Sequence, residues 1–286
     1  MAEISASLVK ELRERTGAGM MDCKKALQES NGAMEDAIDI LRRKGLSKAA
    51  KKAGRATSEG LIGIKITPDN SAAAIVEVLC ETDFVARGDH FKIFAAGVAD
   101  KVHTHKPAHG EALLALVQDE LNSQIATLGE NMSVGRFTLY ETQGPGVIGS
   151  YVHSNGKIGV LVEVGVKNAA SAQKPELLEL ARNLAMQVAA SGAVAVDPAG
   201  VDPELLERER ALQRQKTLDE GKPADKVDQI VEGRIRKFYQ DVCLLEQAYI
   251  RDDKIFIKNL LKDCGKALGD EIGIRRFVRL QLGENA

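Results

Sequence analysis

Glu81-Thr82-Asp83-Phe84-Val85-Ala86-Arg87 follows directly on the apolar run Ala72 to Cys80. That run has the length and branched content of a strand, so the chain leaves a sheet at Glu81 with a carboxylate and an aromatic ring at the point of exit. Upstream, Leu61, Gly63 and Lys65 alternate with Ile62, Ile64 and Ile66. Pro68-Asp69-Asn70 supplies turn chemistry, which predicts a hairpin whose far end carries Thr82 to Val85 as its tip. Phe91, Phe94, Ala95, Val98 and Val102 then return to helical spacing. A phenylalanine near a strand end is most often buried in its own domain. Against that stands a second reading, a ring presented to another protein.

Working outward, Leu114, Val117, Leu121 and Ile125 predict a further helix ended by Gly129, and Met132 to Glu141 alternates as a third strand. Hairpin, helices and returning strand make one small α+β unit over 56–143. The same order recurs. Val147 to His153 and Ile158 to Val166 read as strands around Asn155-Gly156, a hairpin signal, and Leu178, Ala181, Ala185 and Val188 follow as a helix. Val242 to Ile250 reads as an added strand, Ile257 to Leu268 as a helix, and Gly273 to Leu280 as a closing strand echoing Val134 to Leu139. The fold class is α+β with a duplicated core of small antiparallel sheets, its second unit split between 144–199 and 239–286.

The split is filled by residues 200–238. Asp202-Pro203-Glu204 is a helix start with an N-cap side chain, proline at the first position and early acid. Leu205, Leu206, Leu212 and Leu218, then Val227, Ile230, Val231, Ile235 and Phe238 across Gly221-Lys222-Pro223, predict an inserted antiparallel helical hairpin. It reads equally as a partner arm and as a self-packed insertion. At the other end, residues 1–55 read as three short helices. Leu8, Val9 and Leu12 form the first, Thr16-Gly17-Ala18-Gly19 breaks it, Met21, Lys24 and Leu27 mark the second, and Met34 to Leu41 the third, with Gly45 as its C-cap. Arg42 to Arg55 holds seven basic and no acidic side chains, the pattern of a solvated helix or linker or of a docking surface for an acidic partner.

Composition narrows the function classes. A net charge of -2 with 44% hydrophobic and 28% charged residues does not make nucleic acid the default partner. No apolar run approaches the roughly 18 residues that span a bilayer, and Met1-Ala2-Glu3-Ile4 lacks a signal-peptide pattern, so the expected compartment is the cytoplasm, with no membrane partner. Cys23, Cys80, Cys243 and Cys264 are far apart and form no CxxC pair, so they read as reduced structural thiols. There is no GxxxxGK[ST] loop, GxSxG elbow or HExxH helix. His103, His105 and His109 read as a loop rather than a metal site, since no cysteine or carboxylate completes a ligand shell. Glu81 and Asp83 fall on the same side of an extended segment, beside no nucleophile. His153, before a hairpin turn, is a candidate exposed contact. Neither cofactor nor metal is expected.

Two longer stretches carry a resemblance. Leu12-Arg13-Glu14-Arg15-Thr16-Gly17-Ala18-Gly19-Met20-Met21-Asp22-Cys23-Lys24-Lys25-Ala26-Leu27 resembles the amino-terminal signature of bacterial elongation factor Ts, and Glu77 to Arg87 resembles its second signature. Leu79 stands where that second signature commonly has asparagine. The chain stops at Ala286, whereas some members continue into a further helix, whose contacts are not expected here.

The resemblance implies a guanine nucleotide exchange factor, without covalent chemistry of its own, that binds elongation factor Tu in its GDP-bound or nucleotide-free form. Thr82, Asp83, Phe84 and Val85 would disturb the partner's bound magnesium, with Phe84 wedged into its nucleotide domain and Asp83 assisting. An N-terminal module resembling a ubiquitin-associated domain would dock through Lys24 and the Thr16 to Asp22 loop. Leu128, Gly129, His153, Ile250 and Arg251 fall where the family touches its partner. Homodimerisation through the helical hairpin is a further expectation. Two rival classes are a ubiquitin-binding module on a scaffold and an RNA-binding protein resting on Arg42 to Arg55, the latter without stacking aromatics nearby.

Overall fold

The computed structural model describes residues 4–284. Helices α1 (Ala6–Thr16), α2 (Met20–Glu29) and α3 (Met34–Ala50) enclose Val9, Leu12, Cys23, Ala26, Leu27 and Ala37. Ser5 caps α1 through the Leu8 amide at 3.2 Å. Gly45 is not a C-cap. It lies inside α3, where an added Cβ would meet Ala126 at 3.6 Å, so the glycine serves close helix packing and the helix runs on to Ala50. Much of the basic stretch is thereby helical, and Arg42 pairs with Asp119 at 2.6 Å.

Strands β1 (Glu59–Ile66), β2 (Ala72–Cys80) and β3 (Met132–Glu141) form an antiparallel sheet in the order β1-β2-β3. Between β2 and β3 come α4 (Asp83–Arg87), α5 (Asp89–His105) and α6 (Gly110–Leu128). The inward face of α6 is Leu113, Val117, Leu121 and Ile125, while Leu114 is exposed. His103 and His105 occupy the last turn of α5 and His109 caps α6 with Nδ1 accepting from Ala112, so the predicted loop shrinks to the few residues between them.

The second sheet repeats the plan. β4 (Gly146–Val152), β5 (Ile158–Val166) and the last strand are ordered like the first three, and α7 (Ala169–Ala172) and α8 (Pro175–Ser191) follow β5. Next come α9 (Pro203–Asp219) and α10 (Val227–Val242), which pack on each other through Leu206, Val227, Val231 and Tyr239. Ion pairs Arg210–Glu232, Arg214–Asp228 and Arg234–Glu220 flank that seam. Leu212 and Leu218 face water, and Thr217, bonded to the Gln213 carbonyl at 2.6 Å, is the buried residue of α9 instead. The strand expected over 242–250 is reduced to two residues, Ala248–Tyr249. Helical spacing carries α10 through Tyr239 to Val242, a single turn follows at Leu244–Glu246, and the two-residue β6 (Ala248–Tyr249) pairs with β7 (Asp252–Phe256). Helix α11 (Ile257–Leu268) and β8 (Ile272–Gln281) close the chain.

Both middle strands alternate, while the pairing with each third strand slips at one point, between Val76 and Val78 in the first sheet and between Glu163 and Val164 in the second. Ala74, Val76 and Val78 face the helices of the first unit, and Val160, Val162 and Val164 those of the second. The opposite faces meet back to back through Ile62, Ala73, Ile75 and Tyr140 with Ile148, Leu161 and Leu280. Equivalent glycines set the helix approach: a Cβ on Gly63 would lie 2.6 Å from the Ala95 carbonyl oxygen of α5, and one on Gly149 would lie 2.3 Å from the Ala181 carbonyl carbon of α8.

Each middle strand carries one buried glutamate answered by arginine from the third. Glu77 accepts from Arg136 Nε at 3.1 Å and Nη2 at 2.5 Å. Glu163, fully buried, accepts from Arg276 Nε at 2.7 Å, Arg275 Nη1 at 3.0 Å and the Gln143 amide at 2.6 Å. The arginines also cross between sheets. Arg136 donates to the Gln281 carbonyl and Arg276 to that of Glu141, while Arg276 stacks 4.0 Å over the Tyr140 ring.

Burial pushes the Glu163 carboxyl up, but the Gln143 amide and the guanidiniums of Arg276 and Arg275 outweigh it and hold it below its usual value of 4.5. A carboxyl lowered on folding stabilises fully above its unfolded value, and that stability is lost as pH falls through the lowered one. Glu163→Ala, which leaves buried donors unpaired, is expected to cost about 3–5 kcal/mol in urea unfolding. Glu163→Gln should remove part of the acid-side loss of stability below the ordinary carboxylate range.

Candidate functional site

Three residues beyond β2 the chain turns into α4 instead of continuing as an extended tip. Thr82 is the N-cap: its Oγ1 accepts from the Val85 amide at 3.4 Å, and its carbonyl takes the Ala86 amide at 3.2 Å. Val85 packs on the core and Ala86 is buried in it, which pins one side of the short helix. Gly88 alone separates α4 from α5, whose Phe91, Phe94 and Val98 are buried against the sheet. Asp83 and Phe84 occupy the opposite, outward side.

Phe84 is 83% exposed, the most exposed of the large apolar side chains among the described residues. Burial therefore does not explain it. Asp83 pairs with Arg87 at 2.8 Å across one turn, an exposed contact of small energetic weight. The Glu81 carboxylate turns elsewhere, accepting from the Asn131 amide at 2.5 Å with Arg55 at 3.4 Å. Glu81 and Asp83 are thus no carboxylate pair, because the helical turn at Thr82 breaks the alternation that would align them.

Glu130, which sequence reasoning missed, holds the base of the tip. It accepts from the amides of Glu81 at 3.2 Å and Thr82 at 3.0 Å, and from the Thr82 hydroxyl at 2.5 Å. Gly129, in the left-handed region at φ 82, ends α6 and delivers Glu130 there, while Leu128 packs on the core beside it. Burial, followed by the Glu130 charge, pushes the nearby Cys80 thiol up to about 12, so it is an inert structural group. His153 lies after β4 with Nδ1 3.4 Å from the Tyr151 hydroxyl, and it lines one groove with Asp83 and Arg87. Of the tip residues, Asp83 shares that groove with His153, whereas Thr82, Phe84, Val85, Leu128 and Gly129 do not line it. Lys24 is exposed on α2, and Ile250 and Arg251 sit at the turn between β6 and β7, outside that groove. There the Ile250 amide donates to Gln187 and Arg251 touches Met186 Sδ at 3.8 Å.

The second unit contains the same device without the ring. Asn168 caps α7 through the Ala170 amide, and Asp270, just after Gly269, accepts from the amides of Lys167 at 3.2 Å and Asn168 at 2.9 Å. The Ser171 hydroxyl, with the amides of Asn168, Glu271 and Lys167, holds the Asp270 carboxyl down to about 2. Ala170 stands where Phe84 stands. The repeated Leu128-Gly129-Glu130 and Leu268-Gly269-Asp270 is the signal from which Glu130 was readable.

Among the described residues, no three His, Cys, Asp or Glu side chains come together as a metal-holding group, and no helix is long and apolar enough to cross a membrane.

Residues 81–284 match the family model described as Elongation factor TS. Proteins named Elongation factor Ts are similar along nearly the whole chain. One from Nitratidesulfovibrio vulgaris strain DP4 is 55% identical over 283 residues, covering 99% of this chain and 97% of the relative. Another from Desulfovibrio desulfuricans is 53% identical, covering 99% of each. One from Clostridium perfringens strain SM101 is 46% identical, covering 98% of this chain and 93% of the relative. The chain belongs to the elongation factor Ts family. In this member of the elongation factor Ts family, Phe84 lies in water at a strand–helix junction and is a surface feature rather than a fold requirement.

That distinction is measurable. Phe84→Ala should change unfolding free energy by no more than about 0.5 kcal/mol, whereas Phe94→Ala, ten residues on and buried, should cost about 3–5 kcal/mol.

Proposed function

We propose that this chain is a guanine nucleotide exchange factor for elongation factor Tu, acting on its GDP-bound or nucleotide-free form during translation elongation and making or breaking no covalent bond. The observation that carries the reading is Phe84, exposed on a helix whose base is tied by three hydrogen bonds to Glu130. Pushed into the partner's nucleotide domain, with Asp83 beside it, the ring would shift groups that hold the bound magnesium. Magnesium demands near-ideal octahedral oxygen geometry, so a small displacement of its ligands lowers nucleotide affinity greatly. Coupling is reciprocal: nucleotide must weaken factor binding by the same factor, which lets the factor leave when GTP enters.

The remaining contacts are assigned on the same reading. The module of residues 1–55, ubiquitin-associated in type, docks through Lys24 and the Thr16 to Asp22 segment, of which only residues 17–19 form a loop, between α1 and α2. Core unit 56–143 presents Thr82 to Val85 with Leu128 and Gly129. The second unit, 144–199 with 239–286, contributes His153 and the Ile250–Arg251 turn. The helical hairpin 200–238 is an arm for a partner or a second copy. The setting is cytoplasmic, without nucleic acid, membrane or cofactor as a direct partner.

Release of a fluorescent GDP analogue from elongation factor Tu tests this. Buried aromatic anchors are often worth about 2 kcal/mol or more, so Phe84→Ala should slow stimulated release roughly 30-fold. Release as fast as with the parent would remove the wedge from the mechanism.

A further inference from the structure

Val85 and Ala86 anchor the inner side of α4, and Glu130 holds its start. A five-residue helix has no stability of its own, because nucleation costs more than so few bonds return. Beside the core packing of Val85 and Ala86, its first turn fixes α4. The Thr82 hydroxyl donates to Glu130 Oε1 at 2.5 Å, which turns its lone pairs toward the Val85 amide at 3.4 Å. Oε2 meanwhile takes the amides of Glu81 and Thr82, the last two before the helix begins. One carboxylate thus sets the capping rotamer and the exit direction of the strand together. Removing it leaves two half-buried amides without an acceptor and the capping hydroxyl free to rotate.

We infer that Glu130 is a positioning residue for exchange: it holds α4 so that Phe84 meets the partner in one orientation. This rests on the reading of Phe84 as the wedge. The second unit supplies a built-in comparison, since Asp270 grips the equivalent amides of Lys167 and Asn168, one on each oxygen and with no hydrogen bond to the capping side chain of Asn168, under a helix that carries Ala170 in place of a ring. Loss of Asp270 removes a similar structural contact but has no ring to misplace.

The test measures fluorescent GDP-analogue release from elongation factor Tu against factor concentration, giving a maximal rate and a half-saturating concentration for each variant. Glu130→Ala should lower the maximal rate about tenfold, the factor equivalent to one charge-assisted hydrogen bond, with a smaller change in half-saturation. In the Phe84→Ala background, Glu130→Ala should add nothing, because its effect passes through the ring. Asp270→Ala should lower thermal stability as Glu130→Ala does and leave exchange within about twofold, since distant independent sites do not couple. Glu130→Gln, which keeps an acceptor for the amides but not for both amides and hydroxyl, should fold normally and fall between parent and alanine variant; amide exchange at Val85 should quicken in both.

Additive losses in the double variant, or equal losses of exchange from Glu130→Ala and Asp270→Ala, would overturn the positioning role and leave the wedge standing. A Phe84→Ala variant with parental exchange would overturn both.

Discussion

Among the described residues the ring of Phe84 is left almost wholly in water, so the direction it points is set by the backbone beneath it. That backbone is constrained by hydrogen bonding at a strand end, where amides that have run out of sheet partners must find acceptors. Here the acceptor is a carboxylate delivered by the next helix–strand junction, and the same junction supplies Asn131, whose amide engages Glu81. Two chain reversals are locked to each other, and the aromatic side chain stands on the lock.

The rest of the first unit makes this platform stiff. Gly63 lets α5 lie directly on the sheet, Gly88 joins α4 to α5 without slack, and the Glu77–Arg136 pair ties β3 across β2 toward the other sheet. The second unit uses equivalent residues at almost every one of these points: Gly149, Glu163, Arg276, Gly269 and Asp270. The shared framework is structural. What differs between the copies, an exposed phenylalanine and aspartate against two alanines, is where a special role is to be sought.

Much of this was legible in the sequence because it follows from period. The strands at Met132–Glu141 and Ile158–Val166 and the helix at Ile257–Leu268 coincide with the alternation and helical spacing read there. The misses have physical causes. Val242 to Ile250 is a short apolar run that period alone does not assign, and tertiary bonds from Leu244 and Leu245 to the carbonyls of Ala195 and Val196 decided it. Gly45 carries the same letter as a C-cap but serves helix packing. Leu212 and Leu218 are apolar yet lie off the seam, which a polar threonine fills by bonding its own helix backbone. The exposure of Phe84 was one of two readings its sequence left open, and Glu130 was marked by the repeat of Leu-Gly-acid, whereas the strand end it reaches is brought near by the fold.

If the ring works by loosening the partner's grip on a metal ion, its contribution must depend on that ion being present. GDP dissociation from elongation factor Tu should be followed with the parent and Phe84→Ala chains from millimolar magnesium down to excess chelator. The parent's advantage should be large in magnesium and shrink toward parity in chelator, because there is then no ion left to disturb. An advantage of constant size at every magnesium level would contradict the mechanism.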